Sequence, residues 1–118
     1  MQYYSMIQQS VRAALSGADM VVFAAPIYWF DISAQLKLAI DRMYAFGGCG
    51  FNFSKVALLL NSGAKGVYHA AIAAYKAMNA YLNWEDTGII TIGGMTEKGD
   101  MAANPKLAEV RALGESLK

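Results

Sequence analysis

Pro26, Tyr28, Trp29 and Phe30 fall within the stretch FAAPIYWF, directly after a run of apolar β-formers. Large aromatic side chains at what should be the exit of a strand meet water unless something flat covers them. Pro26 fixes the angle at which the backbone leaves the strand. The amides and aromatic faces that follow suit a planar heteroaromatic ring, whose polar edge takes N–H donors and whose faces take apolar walls. Taken alone, the stretch reads first as a cover for the helix that follows it. Its context decides between the two.

Other side-chain chemistry is sparse. No strand runs into a G-x-G-x-x-G turn, so a dinucleotide-binding start is absent. The loop GMTEKGD at 94–100 has the glycine spacing of a phosphate loop, but Asp100 stands where that motif needs lysine. The NSG at 61–63 lacks the first glycine of a nucleophile elbow. His69, the single histidine, opens a helix with no nucleophile near it in sequence and reads as a surface or capping residue. Cys49 is the single cysteine, which excludes an intramolecular disulfide and a Cys/His metal cluster and reads as an ordinary loop residue. No predicted strand ends on a carboxylate, so a receiver-type phosphorylation site is excluded as well. No catalytic side chain and no metal ligand is assigned. A redox cofactor, which brings its own reactivity and asks the protein for position and electrostatics, fits this inventory. A flavin is a ring of the required kind.

The elements that must hold such a ring follow from periodicity. Tyr4, Ile7, Val11 and Leu15 recur at helical spacing over 3–16, with Gly17 as a stop. MVVFAA at 20–25 is a continuous apolar run of the kind buried on both faces of a sheet. Residues 33–46 form a helix with Ser33 as N-cap, Leu36, Ile40, Met43 and Tyr44 inward, and Lys37 and Asp41 as an i,i+4 pair. After the glycine-rich connector 47–54, KVALLL at 55–60 is a second buried strand, ending in NSGAKG at 61–66. Residues 67–82 form an alanine-rich helix, 87–93 a third strand, and 94–100 a loop. Asn104 caps a last helix with Leu107, Val110, Leu113 and Leu117 inward. Strands alternating with helices mean parallel strands joined by crossovers. The chain is expected to be a single α/β domain over 1–118 with one sheet. Open parallel sheets bind ligands at the carboxyl ends of their strands, where 26–30, 61–66 and 93–99 fall.

Bulk properties narrow the partners. The 118 residues are 56% hydrophobic and 16% charged, with a formal net charge of +1. That balance excludes disorder, and the absence of charge clustering argues against nucleic acid and against an anionic membrane surface. Charges interrupt every apolar stretch before it reaches a membrane-spanning length, and no signal-peptide pattern opens the chain. The expectation is a cytoplasmic protein with neither nucleic-acid nor membrane partners.

The stretch ADMVVFAAPIYWFDISAQLKLAIDRM resembles the NADPH-dependent FMN reductase family, in the branch related to the iron–sulfur flavoproteins. In that family a strand ending in P-x-Y-W precedes S-A-x-L-K and then D-R, matched here by Pro26 to Trp29, Ser33 to Lys37, and Asp41-Arg42. Further landmarks are Lys55 through Gly63, Lys98-Gly99-Asp100, Asn104-Pro105 and Leu113-Gly114, so the resemblance covers 18–118. It implies a flavodoxin-like fold and FMN held without a covalent bond, with NAD(P)H as electron donor. It further implies that Pro26, Ile27, Tyr28 and Trp29 line the flavin ring, with Asn61, Ser62 and Gly63 from the neighbouring loop. The implied reaction is hydride transfer to the flavin, then electron release to a quinone, free flavin, iron–sulfur centre or other acceptor.

The family's opening strand and its Ser/Gly-rich phosphate loop have no counterpart in this sequence, and neither has the cysteine cluster of the iron–sulfur branch. In the strand order 2-1-3-4-5, the three predicted strands correspond to 3, 4 and 5, so the fold expected is a partial flavodoxin-like sheet with flanking helices. The strand at 20–25 becomes an open edge, which invites pairing with another chain. Right-handed crossovers put helices 33–46 and 67–82 on one face with the first helix beside them, leaving the last helix for the other. An exposed apolar patch and a homo-oligomer joined through the 20–25 edge are expected. Three readings follow: an FMN-dependent oxidoreductase chain, a truncated fragment in which FMN binding is weak or absent, and an assembly module that pairs through its open edge.

Overall fold

The structure, a computed structural model, describes residues 2–45 and 50–117, with side chains throughout except at 2–5, 7 and 8. Nine elements follow in order: α1 (Gln2–Leu15), β1 (Met20–Tyr28), β2 (Asp31–Ile32), α2 (Ala34–Met43), β3 (Lys55–Asn61), α3 (His69–Leu82), β4 (Glu85–Ile92), α4 (Asp100–Ala103) and α5 (Leu107–Ser116). They build one sheet in the order β2-β1-β3-β4. β1, β3 and β4 run parallel, with Val21 opposite Val56, Phe23 opposite Leu58 and Leu58 opposite Ile89. This is the expected α/β open sheet with the three long strands where the apolar runs place them.

Alternation along the strands divides the faces. Val21, Phe23, Val56, Leu58, Leu60 and Ile89 point into a core completed by Leu36, Ile40 and Met43 of α2, Ala71, Ile72, Tyr75 and Met78 of α3, and Val11 and Leu15 of α1. Phe23 anchors it, edge-on to Tyr75 and stacked on Trp84, each at 6.3 Å between centroids. The opposite face receives α5: the side chain of Leu113 lies so close to Gly88 that a Cβ there would stand 3.2 Å from it. Three helices on one face and the last on the other is the arrangement that right-handed crossovers impose.

α2 starts as its sequence dictates. Ser33 is extended at φ −61° and ψ 150° and its hydroxyl accepts from the Leu36 amide at 3.3 Å. Lys37 and Asp41 form their ion pair at 2.5 Å.

Several expectations are corrected. Tyr44, placed on the inner stripe, is 91% exposed at the C-cap of α2, at the edge of the stripe set by Leu36, Ile40 and Met43. Leu117 is likewise exposed, beyond the end of α5. The loop from 94 gives way to α4 at Asp100, and α5 starts only at Leu107. Asn104 still caps locally, since its side-chain carbonyl accepts from the Lys106 amide at 2.9 Å. Cys49 lies outside the described residues, as do the side chains of Tyr4 and Ile7. Among the described residues no helix is long and apolar enough to cross a membrane.

Candidate functional site

The strand at 20–25 does not stop where the apolar run stops. β1 continues to Tyr28, and Ile27 and Tyr28 pair antiparallel with Ile32 and Asp31. The aromatic turn is therefore the tip of a hairpin whose two-residue loop is Trp29-Phe30. Both loop residues hold positive φ, 51° and 71°. A two-residue hairpin turn of this hand needs positive φ at both positions and is ordinarily filled by Asn-Gly, because bulky side chains are strained there. Directly after the turn, the Asp31 carboxylate accepts from the Ile32 amide at 2.7 Å. The hairpin carries its aromatics outward: Tyr28 is 65%, Trp29 91% and Phe30 56% exposed.

Asn61 ends β3 directly beside Pro26, its partner in the parallel register. The two residues share a face of the sheet and line a cavity of about 340 Å³ with Ala24, Leu59, Ile92 and Val110. The Asn61 side chain has no hydrogen-bond partner among the described residues. The next residue turns the other way. Ser62 is 5% exposed, and its hydroxyl donates to the Ala64 carbonyl and lies 2.5 Å from the Tyr68 hydroxyl. Its amide donates to the Ile92 carbonyl at 2.9 Å, and its carbonyl accepts from Met95 at 2.9 Å. Ser62 is thus a rivet holding the 61–66 loop to α3 and to the β4 exit, with no polar atom of its side chain turned outward. After it, the amides of Gly63, Ala64 and Lys65 have no acceptor among the described residues.

The seven residues singled out from the sequence therefore divide. Pro26 and Asn61 meet at adjacent strand ends, whereas Ile27 points to the opposite face and packs against the core. Tyr28 and Trp29 stand on the hairpin just beyond them. Gly63 contributes an open amide, and Ser62 shapes the loop. Sequence reading left out Phe30 as a site residue, although its place next to Trp29 in a two-residue turn was there to be read once the hairpin was seen. It also missed Tyr68, which no motif marks because its role is to meet Ser62 across the loop.

Two groups among the described residues have displaced titration. Asp100 has its carboxyl held below the usual carboxylate range by hydrogen bonds from the amides of Glu97 and Thr96, at 2.9 and 3.1 Å. Burial, and then the 2.9 Å hydrogen bond to Asp86, push the Tyr75 phenol above its ordinary value. Neither stands at the hairpin. Among the described residues no group of three or more His, Cys, Asp or Glu side chains could hold a metal ion.

Whether this donor set fits a flavin is decided by its chemistry. Exposed aromatic walls, an unpartnered carboxamide and open amides at neighbouring strand ends match a flat ring with a polar edge. Beside the hairpin, the described residues offer no cradle for a phosphate. The ring end fits.

Comparison with known proteins follows the same line. The sequence profile of the family described as NADPH-dependent FMN reductase matches residues 2–97. An FMN-dependent NADH:quinone oxidoreductase of Bordetella parapertussis is 31% identical over an alignment covering 98% of this chain and 62% of that protein. One of Methylocella silvestris is 33% identical over 78% of this chain and 47% of its own length. The chain thus spans about three fifths or less of the length of these relatives. A solved structure described as Trp repressor binding protein from Bacillus subtilis superposes with a TM-score of 0.63 at 21% identity, covering 95% of this chain and 66% of that one. That likeness shows the shared fold.

Proposed function

This chain belongs to the NADPH-dependent FMN reductase family, and on that premise we propose that it serves an FMN-dependent oxidoreductase using NADH or NADPH as donor and a quinone or similar acceptor. The observation that carries the reading is the unpartnered Asn61 beside Pro26, at the strand end next to the one that runs on into an exposed aromatic hairpin. The chemistry that FMN supplies when bound is hydride uptake from a nicotinamide and delivery of electrons to an acceptor.

The protein's part is position. Pro26 sets the exit of β1. Tyr28 and Trp29 provide apolar wall in a direction fixed by the hairpin, which Ile27 anchors by packing against the core. Asn61 and the amides of Gly63 to Lys65 offer donors to the polar edge of the ring, where negative charge is stabilised by fixed N–H groups. Ser62 acts through the loop it rivets, as a positioning residue. No side-chain acid or base is required. With ring contacts and no phosphate cradle beside the hairpin, residues 26–30 and 61–65 on their own hold FMN weakly.

The test is a visible spectrum of the purified chain and a titration of FMN fluorescence, repeated on Trp29→Ala and Asn61→Ala. Quenching by the wild-type chain that both variants weaken supports the reading. A colourless protein that quenches no FMN at high micromolar concentration sinks it and leaves a flavodoxin-like fragment.

A second reading rests on a different observation. β2 covers β1 only at Ile27 and Tyr28, so the outer edge of Met20–Pro26 has no strand partner among the described residues. Val22 is 46% exposed beside it. An edge of this length favours pairing with a second copy into a continuous sheet, and a homo-oligomer through β1 is the proposed assembly. Sedimentation showing only monomer at high micromolar concentration would discard it.

A further inference from the structure

At the far side of the 61–66 loop from the hairpin lies a separate open cleft of about 810 Å³, between that loop and the segment 93–106. Two lysines from different loops are fixed to the end of β4 at its margin. The stem of Lys65 lies against Gly93, so closely that a Cβ at that glycine would stand 3.1 Å from the Lys65 Cγ. The Lys106 ammonium donates to the Thr91 carbonyl at 2.7 Å. Thr91 and Gly93 are two residues apart, so the Cα atoms of the residues against which the two lysines are held lie at most about 7 Å apart.

Each ammonium keeps donors for a ligand. Lys106 spends one of its three on Thr91, and Lys65 has no partner among the described residues. The acidic residue on the cleft wall, Asp100, directs one carboxylate oxygen at the amides of Thr96 and Glu97. The side-chain carbonyl of Asn104 is taken by the Lys106 amide, which leaves the Asn104 NH₂ as a further donor. Gly94, at φ 77°, keeps the wall free of side-chain bulk.

From this juxtaposition we infer that the cleft binds the diphosphate group of a nucleotide. A cleft of this volume is of the size that holds a nucleotide. A lone carboxylate meets one of the two ammonium groups, whereas a diphosphate carries charge on both phosphoryl groups and spans the pair, each contact being charge-assisted. The inference shares only Lys65 with the flavin reading, which uses the Lys65 amide where the cleft uses its ammonium, so Lys106→Ala tests the cleft without touching the flavin contacts.

The experiment is calorimetric titration of the chain without flavin, using inorganic pyrophosphate, ADP, inorganic phosphate and adenosine as separate probes. Pyrophosphate and ADP are expected to bind, with phosphate and adenosine weaker by tenfold or more. Lys65→Ala and Lys106→Ala should each weaken ADP about tenfold, the loss expected for one charge-assisted contact, and Lys76→Ala, on the exposed face of α3, should leave it unchanged. Gly93→Ala, which displaces the Lys65 stem without removing charge, should weaken ADP as well. No binding of ADP or pyrophosphate at millimolar concentration overturns the inference. Equal binding of adenosine, or equal losses in Lys76→Ala, overturns it too, since the first reads the base and the second reads overall charge.

Discussion

Trp29 and Phe30 meet edge to face with ring centroids 5.8 Å apart while both hold a left-handed backbone, φ 51° and 71°. Neighbouring aromatics in such a turn cost conformational energy that the pairing of β1 with β2 must offset. Strain of this kind persists where the surroundings over-determine it, and it gathers at binding sites.

The first prediction concerns that strain. Replacing Trp29-Phe30 by Asn-Gly is expected to raise stability by about 1–3 kcal/mol, since each residue then fits the turn. The same change should weaken FMN quenching, because the apolar wall is gone. Urea unfolding and flavin titration on one preparation check both halves. A variant that is less stable than wild type would show that the turn is not strained.

Ser62 and Tyr68 form the second test. Ser62→Ala leaves the buried Tyr68 hydroxyl without this partner and is expected to cost about 1–3 kcal/mol. Tyr68→Phe leaves Ser62 its bond to the Ala64 carbonyl and should cost less. In the double variant the two losses should fall short of their sum, as coupled groups do. Strict additivity would deny the contact.

Tyr75 makes a statement about alkaline pH. Its folded pKa is raised above the ordinary value, by burial first and then by Asp86. The unfolded chain therefore gives up this proton near pH 10, the usual tyrosine value, while the folded chain keeps it. The folded state binds more protons there, so the stabilisation is present in full below about pH 10 and declines as pH rises beyond it. Urea midpoints measured from pH 8 to 11 should bend downward above 10, and Tyr75→Phe should bend less. An identical bend in Tyr75→Phe removes Tyr75 as the cause.

Adjacent residues of β1 give the fourth prediction. Phe23 is 4% exposed and Val22 is 46% exposed. Phe23→Ala should cost about 3–5 kcal/mol, the range for a buried phenylalanine, and Val22→Ala less than about 1 kcal/mol in a monomer. A Val22→Ala loss that approaches the Phe23 value, and grows with protein concentration, would place a second copy over this face.

The helices and the long strands were legible because their signals are local. Apolar runs bounded by polar turns fix β1, β3 and β4 to within a few residues. Ser33 with Lys37 and Asp41 fixes the start of α2, since a cap and an i,i+4 pair need no distant partner. Tyr44 was misplaced because spacing alone set it beside Ile40, whereas at the C-cap and the edge of the stripe it is left exposed.

The geometry at the strand ends was legible in part. The pairing of Pro26 with Asn61 follows from parallel strands in register, which the apolar runs already imply. The hairpin was hidden. Its turn is filled by tryptophan and phenylalanine in place of the asparagine and glycine by which such turns are recognised, so local propensity pointed away from it. Likewise nothing in NSGAKG says that Ser62 turns inward to Tyr68 while Asn61 faces out. That choice is made by the alternation of β3 continued into the loop and by the Tyr68 hydroxyl waiting just before α3.

By itself, then, the sequence determined an α/β chain with parallel strands, an aromatic stretch at a strand exit and the motifs of one reductase family, because hydrophobic period, caps and spaced motifs are written along the chain. Tertiary structure alone decided which side chains meet: Trp29 with Phe30 across a strained turn, Ser62 with Tyr68, Lys65 with Gly93, and Lys106 with Thr91. Those contacts join loops that are distant or strained, and their geometry is set by how β3 and β4 lie side by side, which no local preference encodes.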